Sequence, residues 1–447
     1  MGTGTPRTAA DSTIPAALAS ACADLAAASD LDAVSDRQPL YVAAPASTTE
    51  AAALLRAAAE LGLTVLPRGS GSRLHWGAPP ASCDLIVDTR RLDQIVEHAA
   101  GDLVVTAQAG VRFDDLADVL ASADQRLALD PPISGTIGGT IGGLIATGAA
   151  GPLRFRYGSP RDLLIGITIV RADGAVAKSG GKVVKNVAGY DLGKLFAGSY
   201  GTLGLITQAT FRLHPKPETS TWITVESASP APAAEVVQAM ADSPLAPSAI
   251  ELDWPSATAH VSVSVLLEGD AASVAVRTER MLGLLGSLET AIADVEPAVD
   301  AFRVHRVPVG SRERPSEVGT QLRIAFWAGQ LERVLQILRE AGLELGLDPA
   351  ISGSAAAGVL DVQIAGKVLP GAAVSFVDQV RVGLGSMTSV AGGPPSVASA
   401  VVVCAPAQVL DAVDVWGPVP SLPIMRAVKD RFDPEHRMAP GRFAGGI

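Results

Sequence analysis

The sequence predicts an α+β protein of two domains, the first folded around a ligand and the second laid over it as a cap. Three observations carry this. A chain of 447 residues exceeds what one hydrophobic core usually organises. Glycine concentrates in three segments between residues 67 and 206, each next to a strand-like run. Past residue 218 these glycine loops stop, prolines punctuate the chain, and strand-like and helix-like runs alternate as in an α+β unit.

In chain order, residues 1–36 read as a loose tail and an alanine-rich helix. Ser47 and Glu50 have capping-box spacing and open a helix to about Leu61, with Leu54, Leu55, Ala58 and Leu61 on one face. Leu63–Pro67 is a short strand that runs straight into Arg68-Gly-Ser-Gly-Ser-Arg73. A turn of this composition can be a nest of backbone N–H groups able to hold a pyrophosphate; a plain strand-ending turn would look the same. It is not a dinucleotide fingerprint, because Leu74 stands where the third glycine belongs, and neither Gly181-Lys182 nor Gly193-Lys194 has P-loop spacing. Leu85–Asp88 and Leu103–Ala107 follow as strands separated by polar turns. Phe113, Leu116, Ala117 and Leu120 then recur at helical spacing to about Ala123.

The stretch Asp130–Gly148 carries glycine at 135, 138, 139, 142, 143 and 148 with β-branched residues between, and no charge after Asp130. It is too glycine-dense for a stable helix interior. Backbone without Cβ can approach a large flat ligand closely, although a ligand-free packing crossover has the same composition. Leu163–Val170 is a buried strand, turned at Asp173-Gly174 into Ala175–Lys178. The last glycine segment, Gly198–Thr207, leads to a strand Ala209–Leu213 stopped by His214-Pro215. The cap opens with Pro230, Pro232, Pro244, Pro247 and Pro255. It has strands at His260–Leu267 and Gln321–Trp327 and helices at Ala271–Leu285 and Leu331–Ala341.

Composition narrows the function. Net charge −11 and pI about 5.1 argue against nucleic-acid binding. No Lys/Arg block suits anionic lipid, and no window of eighteen apolar residues makes a transmembrane segment. Residues 14–29 contain Asp24 and lack the flanks of a signal peptide, so a cytoplasmic protein is expected, peripheral to a membrane only through partners. Cys22, Cys83 and Cys404 form no C-x-x-C pair and cannot supply four thiolates to an iron–sulfur cluster or structural zinc. Electrons handled here must leave through another chain, a quinone or a soluble acceptor.

Residues 38–215 resemble the FAD-binding domain of the vanillyl-alcohol oxidase/PCMH flavoprotein superfamily, because the three glycine motifs occur in that family's order and spacing. The resemblance implies a two-lobed PCMH-type domain over residues 37–217, an α+β cap over 218–415, and a C-terminal segment, 416–447, returning to the FAD domain. It implies that Pro67, Arg68, Gly69, Ser70, Gly71, Ser72 and Arg73 hold the FAD pyrophosphate. The central loop, with Asp130, Pro131, Gly135, Thr136, Ile137, Gly138, Gly139, Gly142, Ala146, Thr147, Gly148 and Ala149, would line the flavin. Tyr200, Gly201, Gly204, Leu205 and Ile206 would close over the adenine and ribose. Some relatives attach FAD to a histidine in the first loop; Ser72 stands there, so FAD is expected to be non-covalent and His75 to be a surface or packing residue. Tyr157, Tyr190 and Tyr200 are expected to pack. The run Ile424–Arg442 resembles the C-terminal signature of the lactate/glycolate branch, with Ala439 in place of the family's asparagine.

Oxidation of a 2-hydroxy acid needs a carboxylate clamp and a base, usually arginine with histidine or a metal. No two of the six histidines lie within 20 residues of each other. Catalytic members of the branch carry G-H-x-G-D-G-N-x-H in the cap; the best match here, Gly353–Asp361, has Ser354 and Asp361 at the histidine positions. The family's later Glu-His pair is also missing, so no metal site is expected. A retained flavin domain with a lost metal site resembles the smaller FAD-binding subunits of bacterial glycolate oxidases. Lys182–Leu192, Leu74–Pro79 and the absence of Glu from Gly198-Ser-Tyr-Gly201 agree with this, whereas the longer cap departs from it. The implied partners are a catalytic flavoprotein subunit, an iron–sulfur subunit and a small 2-hydroxy acid. Two alternatives stay open. One is a free-standing FAD dehydrogenase in which Arg303, Arg306, Arg312 or Arg323 clamps a carboxylate and His305 is the base. The other is a flavin-fold scaffold without turnover.

Overall fold

The computed structural model describes residues 13–131, 138–181, 191–288, 291–297, 319–365, 367–387 and 398–447. Strands β1 (Leu25–Ala27), β2 (Tyr41–Ala43), β3 (Val65–Arg68) and β4 (Leu85–Asp88) form a sheet in the order β1-β2-β4-β3, parallel except for β1. Helix Thr48–Glu60 covers it, burying Leu54, Leu55 and Ala58. Ser47 accepts the Glu50 N–H at 3.1 Å, as its spacing predicts. The Glu50 carboxylate, however, turns to the N–H groups of Ala46 and Ala23, so the cap ties down the preceding chain instead of closing on Ser47.

The second lobe is antiparallel. β5 (Ile95–Ala99), β6 (Val104–Gln108), β8 (Leu164–Val170), β9 (Val176–Gly180) and β10 (Leu205–Arg212) lie in the order β5-β6-β10-β8-β9, while β7 (Gln125–Arg126) pairs with β11 (His214–Pro215). His214-Pro215 therefore does not simply stop a strand. The chain leaves β10 at Arg212 and re-pairs with β7, His214 opposite Arg126 and Pro215 opposite Gln125.

The glycine-dense stretch corrects the sequence expectation. Residues Ile141–Thr147 are α-helical, capped by Thr140 and ended by Gly148 at φ 63°. Tertiary packing supplies what propensity lacks: Ile141, Leu144 and Ile145 are buried. Gly142 lies so close to Ala109 that a Cβ there would come within 2.8 Å of the alanine methyl.

The cap is an eight-stranded antiparallel sheet. It comprises β12 (Thr219–Ser227), β13 (Ala249–Trp254), β14 (Val261–Gly269), β15 (Ala291–Pro297), β16 (Thr320–Ala325), β17 (Ala350–Gly353), β18 (Val359–Ile364) and β19 (Ser399–Cys404), ordered β15-β12-β14-β13-β17-β18-β16-β19. Helices Pro230–Asp242, Ala271–Leu285, Leu331–Leu345 and Pro370–Gly385 cover one face, against Leu252, Val263, Leu322, Ile324, Leu360 and Val362. The prolines at the start of the cap do not prevent a helix, because Pro230 occupies the first helical turn, where no intrahelical N–H is needed. With the two-residue period of a strand, Glu251, Arg323 and Asp361 point the other way, towards the first domain.

The C-terminal segment crosses back onto the first domain. Arg437 and Ala439 bond to the backbone of Val65, extending the first sheet. Helix Leu422–Phe432 packs Val428 and Phe432 against the second lobe. Among the described residues no helix is long and apolar enough to cross a membrane.

Candidate functional site

A cleft opens between the two lobes. Its floor is the turn after β3: Pro67, Arg68, Gly69, Ser70, Gly71, Ser72 and Arg73 all line it. Gly71 has φ 79°, and a Cβ there would meet nothing within 4 Å, so this glycine leaves open space instead of packing against protein. One wall is the capped helix, with Gly142, Ala146 and Thr147; the other is Tyr200, Gly201, Gly204, Leu205 and Ile206. The three glycine segments, far apart in sequence, thus meet around one space.

The remaining sequence-predicted positions have other places. Gly135, Thr136 and Ile137 lie outside the described residues, as do Tyr190, Arg303, His305, Arg306 and Arg312. Asp130 accepts the Leu153 N–H with both carboxylate oxygens, at 3.1 and 3.0 Å, and Pro131 is buried beside it. Gly138 faces Asp114, and Gly139 is pressed against Arg73, whose Nη1 would lie 2.6 Å from a Cβ. Gly148 is the left-handed end of the helix, and Ala149 packs with Trp76, Leu144 and Val403. These six stand behind the cleft surface and shape it.

Charge in the cleft is unevenly compensated. The Arg68 guanidinium is paired with Asp32 at 2.7 Å and Asp88 at 3.1 Å. Arg73 is buried, with its guanidinium 5.4 Å from the centre of the Trp76 ring. Burial and the nearby charge of Arg323 pull the Arg73 pKa down to about 10. Arg442 also lines the cleft, although it comes from the C-terminal segment; its place at the end of the Ile424–Arg442 signature was the only sequence signal for it. Thr140, within the glycine-dense stretch but not singled out there, joins it as a lining residue, as do Thr89 and Ala109, which carried no motif. Tyr200 adopts φ 54° and stacks edge-on to Trp416, with ring centres 5.0 Å apart, and beside Phe443. His75 is half-buried beside the cleft, and burial with Arg442 and Arg73 lowers its pKa to about 4, so the ring is neutral at physiological pH.

Above the cleft the cap presents Arg323, whose guanidinium stands 5.1 Å from the Trp76 ring centre and is bonded to Asp361 at 2.8 Å. The hydroxyl of Ser354 bonds the buried carboxylate of Glu251. Among the described residues no group of three His, Cys, Asp or Glu side chains is placed to hold a metal.

Residues 39–180 match the family model described as FAD binding domain. This part of the chain is an FAD-binding domain. The glycine-lined floor and the buried arginines Arg73 and Arg442 fit a cofactor that approaches the backbone closely and carries negative charge. The FAD-binding chain is 34% identical to glycolate oxidase subunit GlcD of Bacillus subtilis (strain 168) over 265 residues, 58% of this chain and 54% of the relative. Against glycolate oxidase subunit GlcE of Escherichia coli (strain K12) it is 38% identical over 153 residues, 34% of this chain and 43% of the relative. The matched region thus spans about half the length of such curated relatives. The fold as a whole is that of the PCMH-type flavoproteins. It superposes on p-cresol methylhydroxylase with a TM-score of 0.74 at 15% identity, covering 99% of this chain and 98% of that one.

Proposed function

We propose that this FAD-binding protein is an oxidoreductase working as one subunit of a glycolate- or 2-hydroxy-acid-oxidising complex, of the kind named by its GlcE relative. In this reading FAD sits non-covalently in the cleft and passes electrons between a catalytic flavoprotein subunit and an iron–sulfur subunit. The observation that carries it is the state of the cap above the cleft. The two positions aligned with family histidines are engaged in polar pairs, Ser354 with Glu251 and Asp361 with Arg323. Asp361 holds the one described arginine that the free-standing-dehydrogenase alternative would use as a carboxylate clamp. A flavin cleft whose two histidine-aligned cap positions are already engaged in polar pairs supports electron relay over substrate oxidation by this chain alone.

The test is an anaerobic visible spectrum of the purified chain before and after adding glycolate or D-lactate. Bound flavin should stay oxidised with either acid and become reduced only when a catalytic flavoprotein subunit is added. Prompt bleaching by acid alone would overturn the relay reading.

A further inference from the structure

We propose that Arg442 is a cofactor-binding residue that holds an anionic oxygen of FAD in the cleft. The inference rests on the reading that FAD occupies this cleft, and it assigns the tail a part in ligand recognition as well as in packing.

Three observations lead there. First, Arg442 is only 4% exposed and still lines the cleft, so its side chain is enclosed by protein and by whatever fills that space. Second, it is held in place before any ligand arrives. Its Nη2 donates to the carbonyls of Leu74 at 2.9 Å and Trp76 at 2.5 Å. Its own carbonyl accepts from the Trp416 indole at 3.2 Å and from the Ala78 N–H at 3.2 Å. The turn that delivers it uses Ala439 at φ 44° and Gly441 at φ 81°.

Third, its charge is left for a ligand to meet. Several other buried or half-buried cations around the first domain have carboxylates: Arg68 has Asp32 and Asp88, Arg126 has Glu268, Lys429 has Asp433, and Arg323 has Asp361. Among the described residues Arg442 forms no ion pair, and its electrostatic neighbours are Tyr200 and Cys83. Burial without a counter-ion lowers its pKa to about 10, still well above physiological pH. An enclosed, oriented guanidinium without a protein anion is costly unless a ligand supplies one, and guanidinium is suited to phosphate oxygens. FAD offers two sources of anionic oxygen: its diphosphate, and the pyrimidine side of the flavin ring once reduced.

The experiment uses the full-length chain and two variants chosen to separate charge from tie. Arg442→Gln can keep an amide donor on Leu74 and Trp76 but has no charge. Arg442→Lys keeps the charge and loses the fork. Titration of the apoprotein should show the FAD dissociation constant raised at least tenfold in Arg442→Gln, with Arg442→Lys closer to wild type. If ADP binding weakens in parallel, the diphosphate is the source. If ADP binding is unchanged while the flavin midpoint potential falls, the reduced ring is the source. FAD affinity and potential of Arg442→Gln equal to wild type, or Lys weaker than Gln, would overturn the assignment and leave Arg442 as a tie. Failure of the wild-type chain to take up FAD would instead sink the reading on which the assignment rests.

Discussion

Gly71 and Gly142 both face the cleft, and they are glycine for different reasons. Gly71 needs a left-handed backbone, whereas Gly142 needs room beside Ala109. Gly71→Ala should therefore cost about 1–2 kcal/mol through backbone strain alone. Gly142→Ala should cost about 1–3 kcal/mol through overpacking and also weaken FAD binding, because the helix wall must shift. Urea unfolding with parallel FAD titration separates the two. His75 gives a pH dependence with a defined sign. Its pKa falls from 6.5 in the unfolded chain to about 4 in the folded protein. Between those values the unfolded chain binds a proton that the native state refuses, so stability should decline as pH drops from 6.5 towards 4 and this contribution level off below. His214, also lowered to about 4 by burial, acts in the same window. The slope of unfolding midpoint against pH should become shallower in His75→Gln and shallower again when His214 is also replaced.

At the level of elements, a compact polar group helps to fasten the cap to the first domain. Arg126 of β7 grips Glu268 of β14 with two bonds, at 2.8 and 2.9 Å, and Tyr157 joins them. Glu268→Gln leaves Arg126 short of its counter-charge, and a loss of up to about 3 kcal/mol is expected. Limited proteolysis should then cut first between the domains, before either core opens. The tail is fastened more deeply. Lys429 and Asp433 are both fully buried, and the ammonium also donates to the carbonyls of Thr202 and Met438. Lys429→Met would strand the Asp433 carboxylate and should cost about 3–5 kcal/mol, with part recovered in Lys429→Met/Asp433→Leu. Thermal unfolding of the single and double variants checks this.

The same elements show what the sequence discloses. Helix Ala271–Leu285 and strand Leu85–Asp88 occupy the residues that periodicity predicts, because their own pattern decides them. Helix Ile141–Thr147 was not legible: its glycines argue against helix, and the packing that overrules them comes from Ala109 and from a core assembled out of distant strands. Helix Pro230–Asp242 was missed for a simpler reason, since prolines that end helices also begin them.

For the whole molecule, the three glycine segments were recognisable one by one, and the cleft they enclose follows from their convergence. What local signals could not disclose is what reaches that space from far along the chain. The Arg323–Asp361 pair comes from paired strands of the cap, and Arg442 arrives across 368 residues to meet Leu74.

Thr202, in the wall segment of the cleft, is gripped by Lys429, 227 positions later. During translation the ribosome must therefore finish the entire cap before the binding space has its last wall. Flavin loading becomes a late event in the life of each nascent chain, and a polypeptide stalled within the cap should emerge colourless even though its glycine loops are already outside the exit tunnel.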